Sequence, residues 1–181
     1  MKNTIVLLLS LLMGNFAFSQ KVMTRTGEVK FDATVPSSID EIAGTNTTAS
    51  CIFDEATGDL VTLVLVKSFK FKSPLMEEHF NENYMESTKF PKSTFKGKVL
   101  NFDKSKLSAT KTLYDLEGDL TIHGVTKKVK TKVYLSLNAG KVSVSTSLSV
   151  NLADYKVEIP NLVKDKIAKE AKLNINFVLT E

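Results

Sequence analysis

Asp115, Glu117 and Asp119 stand at every second position, and three carboxylates at that spacing project from one face of an extended chain. Acids held together in this way can act as a paired acid and base or ligate a cation. Lys128, Lys130 and Lys132 follow at the same spacing beyond His123 and Gly124. If His123 and Gly124 form a two-residue turn, Asp119 falls opposite Lys128, Glu117 opposite Lys130 and Asp115 opposite Lys132. Leu116, Gly118, Val129 and Val133 then share the other face. A slip of one residue would break both patterns, so charge and hydropathy agree on one register. The acids are therefore read as solvated partners of lysine. Such exposed pairs contribute about 0.2–1 kcal/mol each and set register more than they stabilise.

The remaining reactive residue types are sparse. His79 and His123 are the only histidines, without HxH, HExxH or Cys/His spacing. His123 is read as a turn residue whose ring bonds nearby backbone, and His79 as a packed helix residue. Cys51 alternates with Ala49 and Phe53 as a buried thiol does, and no GxSxG elbow accompanies the many serines. No catalytic residue, metal site or resident cofactor is assigned, and the chain is read as a non-enzyme. Asn46, Thr47 and Thr48 make a glycosylation sequon, to which no weight is given. The formal charge is +4 and Arg25 is the sole arginine, with lysines interleaved among acids. That pattern fits a solvated surface and argues against a nucleic-acid partner.

The elements that hold these residues are mainly β. Val29, Phe31, Ala33 and Val35 alternate, as do Ala49, Cys51 and Phe53. The apolar run 60–71 is predicted to be one long central strand with Val61, Leu63, Leu65, Phe69 and Phe71 on one face. Residues 95–102, the 114–133 hairpin, Val142 to Val150 by twos, and Leu173, Ile175, Phe177 and Leu179 complete the strands. For Val133, Leu135 and Leu137 to share a face with Val142 and Val144, the turn around Asn138 to Lys141 must contain an even number of residues, which a loop centred on Ala139 and Gly140 satisfies. Two short helices are expected, at about 73–87, opened by Ser73 and Pro74, and at about 161–170. About eight antiparallel strands with short turns predict a closed β-barrel, whose interior is filled by side chains or holds one small ligand. Residues 2–19 have a charged start, an apolar run and small residues Ala17 and Ser19, the pattern of a signal peptide cleaved near Ser19 and Gln20. The expectation is one domain over residues 20–181, exported to the periplasm or secreted, with no transmembrane segment in the mature chain.

Phe69, Phe71, Met76, Phe80, Tyr84, Met85, Phe90 and Phe95 concentrate apolar, adaptable surface in one stretch, which pattern alone assigns to ordinary core. The segment FKFKSPLMEEHFNENYMESTKFPKSTFKG, residues 69–97, followed by LTIHGVTKKV, residues 120–129, resembles the YceI-like family of exported, lipocalin-like proteins. The match lies in Phe69 and Phe71, the Met76, His79 and Phe80 helix, Tyr84 and Met85, the turn at Phe90, Pro91 and Lys92 leading to Thr94 and Phe95, and the HGVTK turn. The chain is a compact variant: residues 27–53 lack a histidine-containing opening motif, and LADYKVEIP stands where many members place an arginine-bearing strand.

The resemblance implies an antiparallel barrel with helices at its mouth and a long apolar cavity for a polyisoprenoid lipid or isoprenoid quinone. The eight residues named above, with Tyr114, Leu116 and Leu120 from the inner face of the hairpin, are its expected wall. Lys89, Lys92 and Lys96 are candidates to attract an anionic head group. The expected function is that of an exported binding or carrier protein for such a lipid, with a hydrophobic small molecule as partner. A homodimer is compatible with the sequence. The alternative is a filled barrel serving as an envelope interaction or stress-associated module without a small ligand.

Overall fold

Two tight turns fix the middle of the sheet. The computed structural model describes residues 21–181, so the signal-peptide expectation for residues 1–19 lies outside the described residues. His123 and Gly124 adopt φ of +50° and +74°, and Ala139 and Gly140 adopt +49° and +75°. Two successive positive φ values make a type I′ turn, whose twist matches that of the flanking strands. Strands β6 (Thr112–Ile122), β7 (Val125–Asn138) and β8 (Lys141–Asn151) therefore run as a meander. Across the first turn the expected register holds, Asp119 facing Lys128, Glu117 facing Lys130 and Asp115 facing Lys132. Their charged atoms lie 3.3, 2.6 and 2.6 Å apart. Across the second, Leu135 meets Val144 and Leu137 meets Val142.

The other long strands are β1 (Lys21–Thr34), β2 (Ala43–Asp54), β3 (Asp59–Leu65), β5 (Lys92–Val99) and β9 (Ile167–Leu179), with a two-residue β4 (Lys70–Phe71) clipped onto β2. The order around the sheet is β1-β9-β8-β7-β6-β5-β3-β2, and β1 pairs with β2 as well as with β9. Eight antiparallel strands thus close on themselves, as the sequence predicts, and the long strands keep no free edge. One end is packed solid. Val22, Phe53, Val99, Val133, Leu135, Val142 and Leu179 are each no more than 2% exposed, and Phe102 covers the floor with its ring centre 5.0 Å from that of Phe53.

Two expectations need correction. The run 60–71 is not one strand: β3 ends at Leu65, and a 3-10 turn, Val66–Ser68, separates it from β4. Leu60 and Val64 face the interior, while Val61 and Leu65 are exposed. The run is apolar on both faces, so alternation carried no phase; pairing of Leu60 with both Phe53 and Gly97 sets it. The 3-10 turn then shifts parity, and Phe69 is buried. Residues 161–170 are also not a helix. Only Asn161–Val163 makes a 3-10 turn, and β9 begins at Ile167. Pairing of Ile167 with Thr34 and of Glu170 with Asn151 draws this stretch into the ladder, overriding local helical pattern. Ser73 and Pro74 do open helix α1 (Pro74–His79), which passes into a π-helical turn over Phe80–Tyr84.

Buried polar groups follow from the ladder. Asn46 is fully buried at an irregularity between β1 and β2; its amide donates to Leu65 O and its oxygen accepts from Thr48 N. It serves as a splice between strands, which explains the asparagine at the sequon without glycosylation.

Gly97 and Gly118 face each other across β5 and β6. A Cβ at Gly118 would lie 2.4 Å from Lys96 O and 2.7 Å from Phe95 Cζ. Gly118→Val should therefore lower the free energy of urea unfolding by about 2–3 kcal/mol, whereas Gly140→Asn, at an open left-handed position, should stay within about 0.5 kcal/mol of the parent. Equal midpoints for the two variants would contradict the close approach. Burial pushes the Cys51 thiol from 9.0 up to about 12. The unfolded chain then holds fewer protons between pH 9 and 12, so stability should fall with rising pH there, by up to about 1.4 kcal/mol per pH unit. Denaturation of the parent and Cys51→Ala at pH 8 and pH 10 isolates that slope; an identical pH dependence in both would contradict it.

Candidate functional site

Above the packed floor the barrel is hollow. The interior positions of the long strands are mostly apolar, and above Leu116, Val144 and Phe177 they leave a cavity of about 330 Å³. That volume falls in the range of small-molecule sites. Its wall takes Val29, Phe31 and Ala33 from β1, Leu60 and Val64 from β3, Phe95 from β5, Leu116 and Leu120 from β6, Leu148 from β8, and Leu173 and Ile175 from β9. Thr131 and Thr146 also line it, but their hydroxyls donate to Ser147 O and Lys132 O at 3.2 and 2.6 Å. Their hydroxyls are engaged by the strands, so at these two positions the wall presents methyl groups.

Aromatic rings gather at the open end. Phe31 stacks on Phe80 with ring centres 5.4 Å apart, and Phe69 and Phe71 lie 5.4 and 4.9 Å from Phe80. Such contacts add about 0.5–1.5 kcal/mol per pair beyond burial. The π turn decides which side chains of this segment face inward. Met85 N donates to Phe80 O, a five-residue closure that brings Phe80, Tyr84 and Met85 all onto the cavity. π turns of this kind recur at functional sites.

Of the residues expected at the wall, Phe69, Phe71, Met76, Phe80, Tyr84, Met85, Phe95, Leu116 and Leu120 line the cavity. Phe90 and Tyr114 do not. Phe90 lies outside the wall, its ring centre 4.5 Å from that of His123 and its edge against Gly124. Tyr114 points into the floor beside Phe102, and its hydroxyl is buried without a partner. Lys89, Lys92 and Lys96 are exposed and do not line the cavity: Lys89 sits 3.6 Å from Glu86 and over the Phe90 ring, and Lys92 and Lys96 face outward opposite Leu65 and Val61. The lysine at the wall is Lys166. His79 is exposed at the end of α1 and reaches the cavity rim, in place of the packed position expected for it.

Sequence reasoning missed the crossover of residues 152–166, which contributes Leu152, Tyr155, Val157, Val163 and Lys166. Residues 152–160 have neither helical nor strand periodicity, and the pattern at 161–166 suggests a helix, so neither part signals a segment that crosses the cavity. Phe31 and the inward residues of β9 were read as strand positions, and only closure shows that they share the cavity with Phe80.

His123 ties this end together. Its Nδ1 lies 3.2 Å from Tyr155 O and its Nε2 lies 2.9 Å from Glu86 Oε2. Both partners are acceptors, so the ring satisfies both at once only when each nitrogen carries a proton. The hairpin turn thereby holds the end of the π turn on one side and the crossover on the other. Burial pushes the phenols of Tyr84 and Tyr155 upward, with the Asp154 carboxylate adding to the effect at Tyr155, so both remain neutral donors. Among the described residues no carboxylate lines the cavity, no group of three or more His, Cys, Asp or Glu could hold a metal ion, and no helix is long and apolar enough to cross a membrane.

A family model described as YceI-like domain matches residues 16–179. Among solved structures, a polyisoprenoid binding domain from Saccharophagus degradans implicated in plant cell wall breakdown superposes with TM-score 0.75 at 16% identity, covering 88% of this chain and 97% of that one. BcnA of Burkholderia cenocepacia superposes with TM-score 0.66 at 18% identity, covering 84% and 96%. The YceI protein of Campylobacter jejuni gives 0.64 at 19% identity, covering 80% and 87%. At these identities the likeness is one of fold. No curated protein matches the chain.

The His123 tie predicts a local effect. His123→Asn keeps a residue that tolerates left-handed backbone but cannot span both acceptors. Amide exchange of Val157 and its neighbours should quicken by the equivalent of about 1–3 kcal/mol, while β8 amides stay protected. Uniformly faster exchange would instead mark His123 as a global stability residue.

Proposed function

The chain belongs to the YceI-like domain family, and from that premise we propose that it is a binding or carrier protein for an apolar isoprenoid-type lipid, a polyprenyl chain or isoprenoid quinone held in the barrel cavity. The observation that carries this reading is the cavity itself: it opens at one end of the barrel, its volume is about 330 Å³, and its strand-borne wall is mainly hydrocarbon, with the Thr131 and Thr146 hydroxyls already bonded to the strands. A filled barrel would leave no such space. The fold shared with a polyisoprenoid binding domain supports the same ligand class. The proposed wall contacts are Phe31, Phe69, Phe71, Met76, Phe80, Tyr84, Met85, Phe95, Leu116 and Leu120. The protein holds its ligand and catalyses no reaction on it, and it acts outside the cytoplasm, in the periplasm or secreted, after removal of residues 1–19.

Affinity in such a site comes from removing hydrocarbon from water, about 0.8 kcal/mol per CH₂ before the costs of ordering the chain. Geraniol, farnesol and geranylgeraniol should therefore bind in rising order, each isoprene unit tightening binding about tenfold or more until the cavity is full. Phe80→Asp, which sets a charge at the aromatic mouth, should abolish retention while far-ultraviolet circular dichroism still reports the barrel. Affinities independent of chain length, or loss of fold and binding together in Phe80→Asp, would contradict the reading.

A further inference from the structure

The polar groups at the open end of the cavity have an unusual composition: all can donate, and those on the crossover and π turn are unused. Tyr155 is 3% exposed and lines the cavity. Its hydroxyl, like that of Tyr84, has no hydrogen-bond partner among the described residues, whereas its backbone oxygen is fixed by His123 Nδ1. Tyr155 and Tyr84 line one cavity and neither hydroxyl is engaged by the protein, so a ligand that carries an oxygen acceptor can take hydrogen bonds there that the apolar part of the wall does not supply. Tyr84 ends the π turn that Glu86 anchors to the other nitrogen of His123, so one imidazole positions the segments bearing both phenols. Lys166, on the same crossover as Tyr155, adds a positive charge, and no carboxylate lines the cavity to compete for these donors.

We infer that Tyr155, Tyr84 and Lys166 form a head-group site that selects lipids ending in oxygen acceptors, a phosphate or a quinone carbonyl, and discriminates against plain hydrocarbon. The proposal rests on the carrier reading and adds a polar end to it. Because burial keeps both phenols protonated, they donate across the neutral pH range and do not repel an anion. The floor cannot serve this purpose, since its one unpartnered hydroxyl, on Tyr114, does not line the cavity.

Three probes with six isoprene units separate the terms: hexaprenyl phosphate, a hexaprenyl quinone, and squalene, which has no head group. The purified protein, stripped of co-purified lipid, should bind both headed probes more tightly than squalene. Tyr155→Phe, which removes one oxygen and keeps the ring, should weaken both headed probes about three- to tenfold and leave squalene within about twofold. Lys166→Gln should weaken the phosphate and spare the quinone. Equal weakening of all three probes by Tyr155→Phe would show that the residue acts through cavity shape, and no weakening at all would remove it from the site; either result overturns the proposal. If squalene binds and the headed probes bind no tighter, the head-group site falls while the carrier reading stands. If the parent protein takes up none of the three, the carrier reading falls and this proposal with it.

Discussion

Closure of the sheet between β1 and β2 is the constraint on which the rest of the molecule depends. It pairs Val22 with Phe53 at one end and Phe31 with Gly44 at the other, and turns the alternating side chains of eight strands into one interior. That interior cannot be uniform. The lower end collects large residues with almost no exposure, Phe53, Leu135 and Leu179 among them, and is packed as a core. The upper end carries Ala33, Thr131, Thr146 and Ala171 at inward positions, and the volume they fail to fill is the cavity.

What covers the open end is built from irregular backbone tied to regular backbone. The α1 helix and π turn bring Phe80 onto Phe31, and the crossover brings Tyr155 and Lys166 over the cavity. His123, held at a left-handed turn position in the most regular hairpin of the barrel, joins the two by its two ring nitrogens. Rigid strands thus position a mouth that has little secondary structure of its own. Few backbone ladder bonds hold that mouth, so it belongs to the low-stability part of the structure where entry of a ligand is easiest.

The parts legible in the sequence were those where two independent signals coincide. In the β6–β7 hairpin, cross-strand charge and apolar alternation agree with a turn at His123 and Gly124, and the register follows residue for residue. The Ala139 and Gly140 turn yielded to the same parity argument. The run 60–71 did not, because its residues are apolar on both faces and only the partner strands fix which face is inner. Residues 161–170 misled in the opposite way: local pattern suggested a helix, while from Ile167 onward ladder bonds to β1 and β8 were worth more. Phe90, from the aromatic set, and Tyr114, from the inner face of the hairpin, are expected at the wall, yet Phe90 packs outside on His123 and Tyr114 plugs the floor. Tyr155 was missed because a loop that crosses a barrel mouth leaves no periodicity to read, and Lys166 because its stretch reads as a helix.

The central claim is that this hollow holds a lipid, and native mass spectrometry of the protein purified from its native source tests it most directly. The account predicts a species heavier than the polypeptide alone, whose excess mass is lost on solvent extraction and restored by a long-chain isoprenoid. A single unliganded mass, unchanged after exposure to isoprenoids and fatty acids, would contradict it.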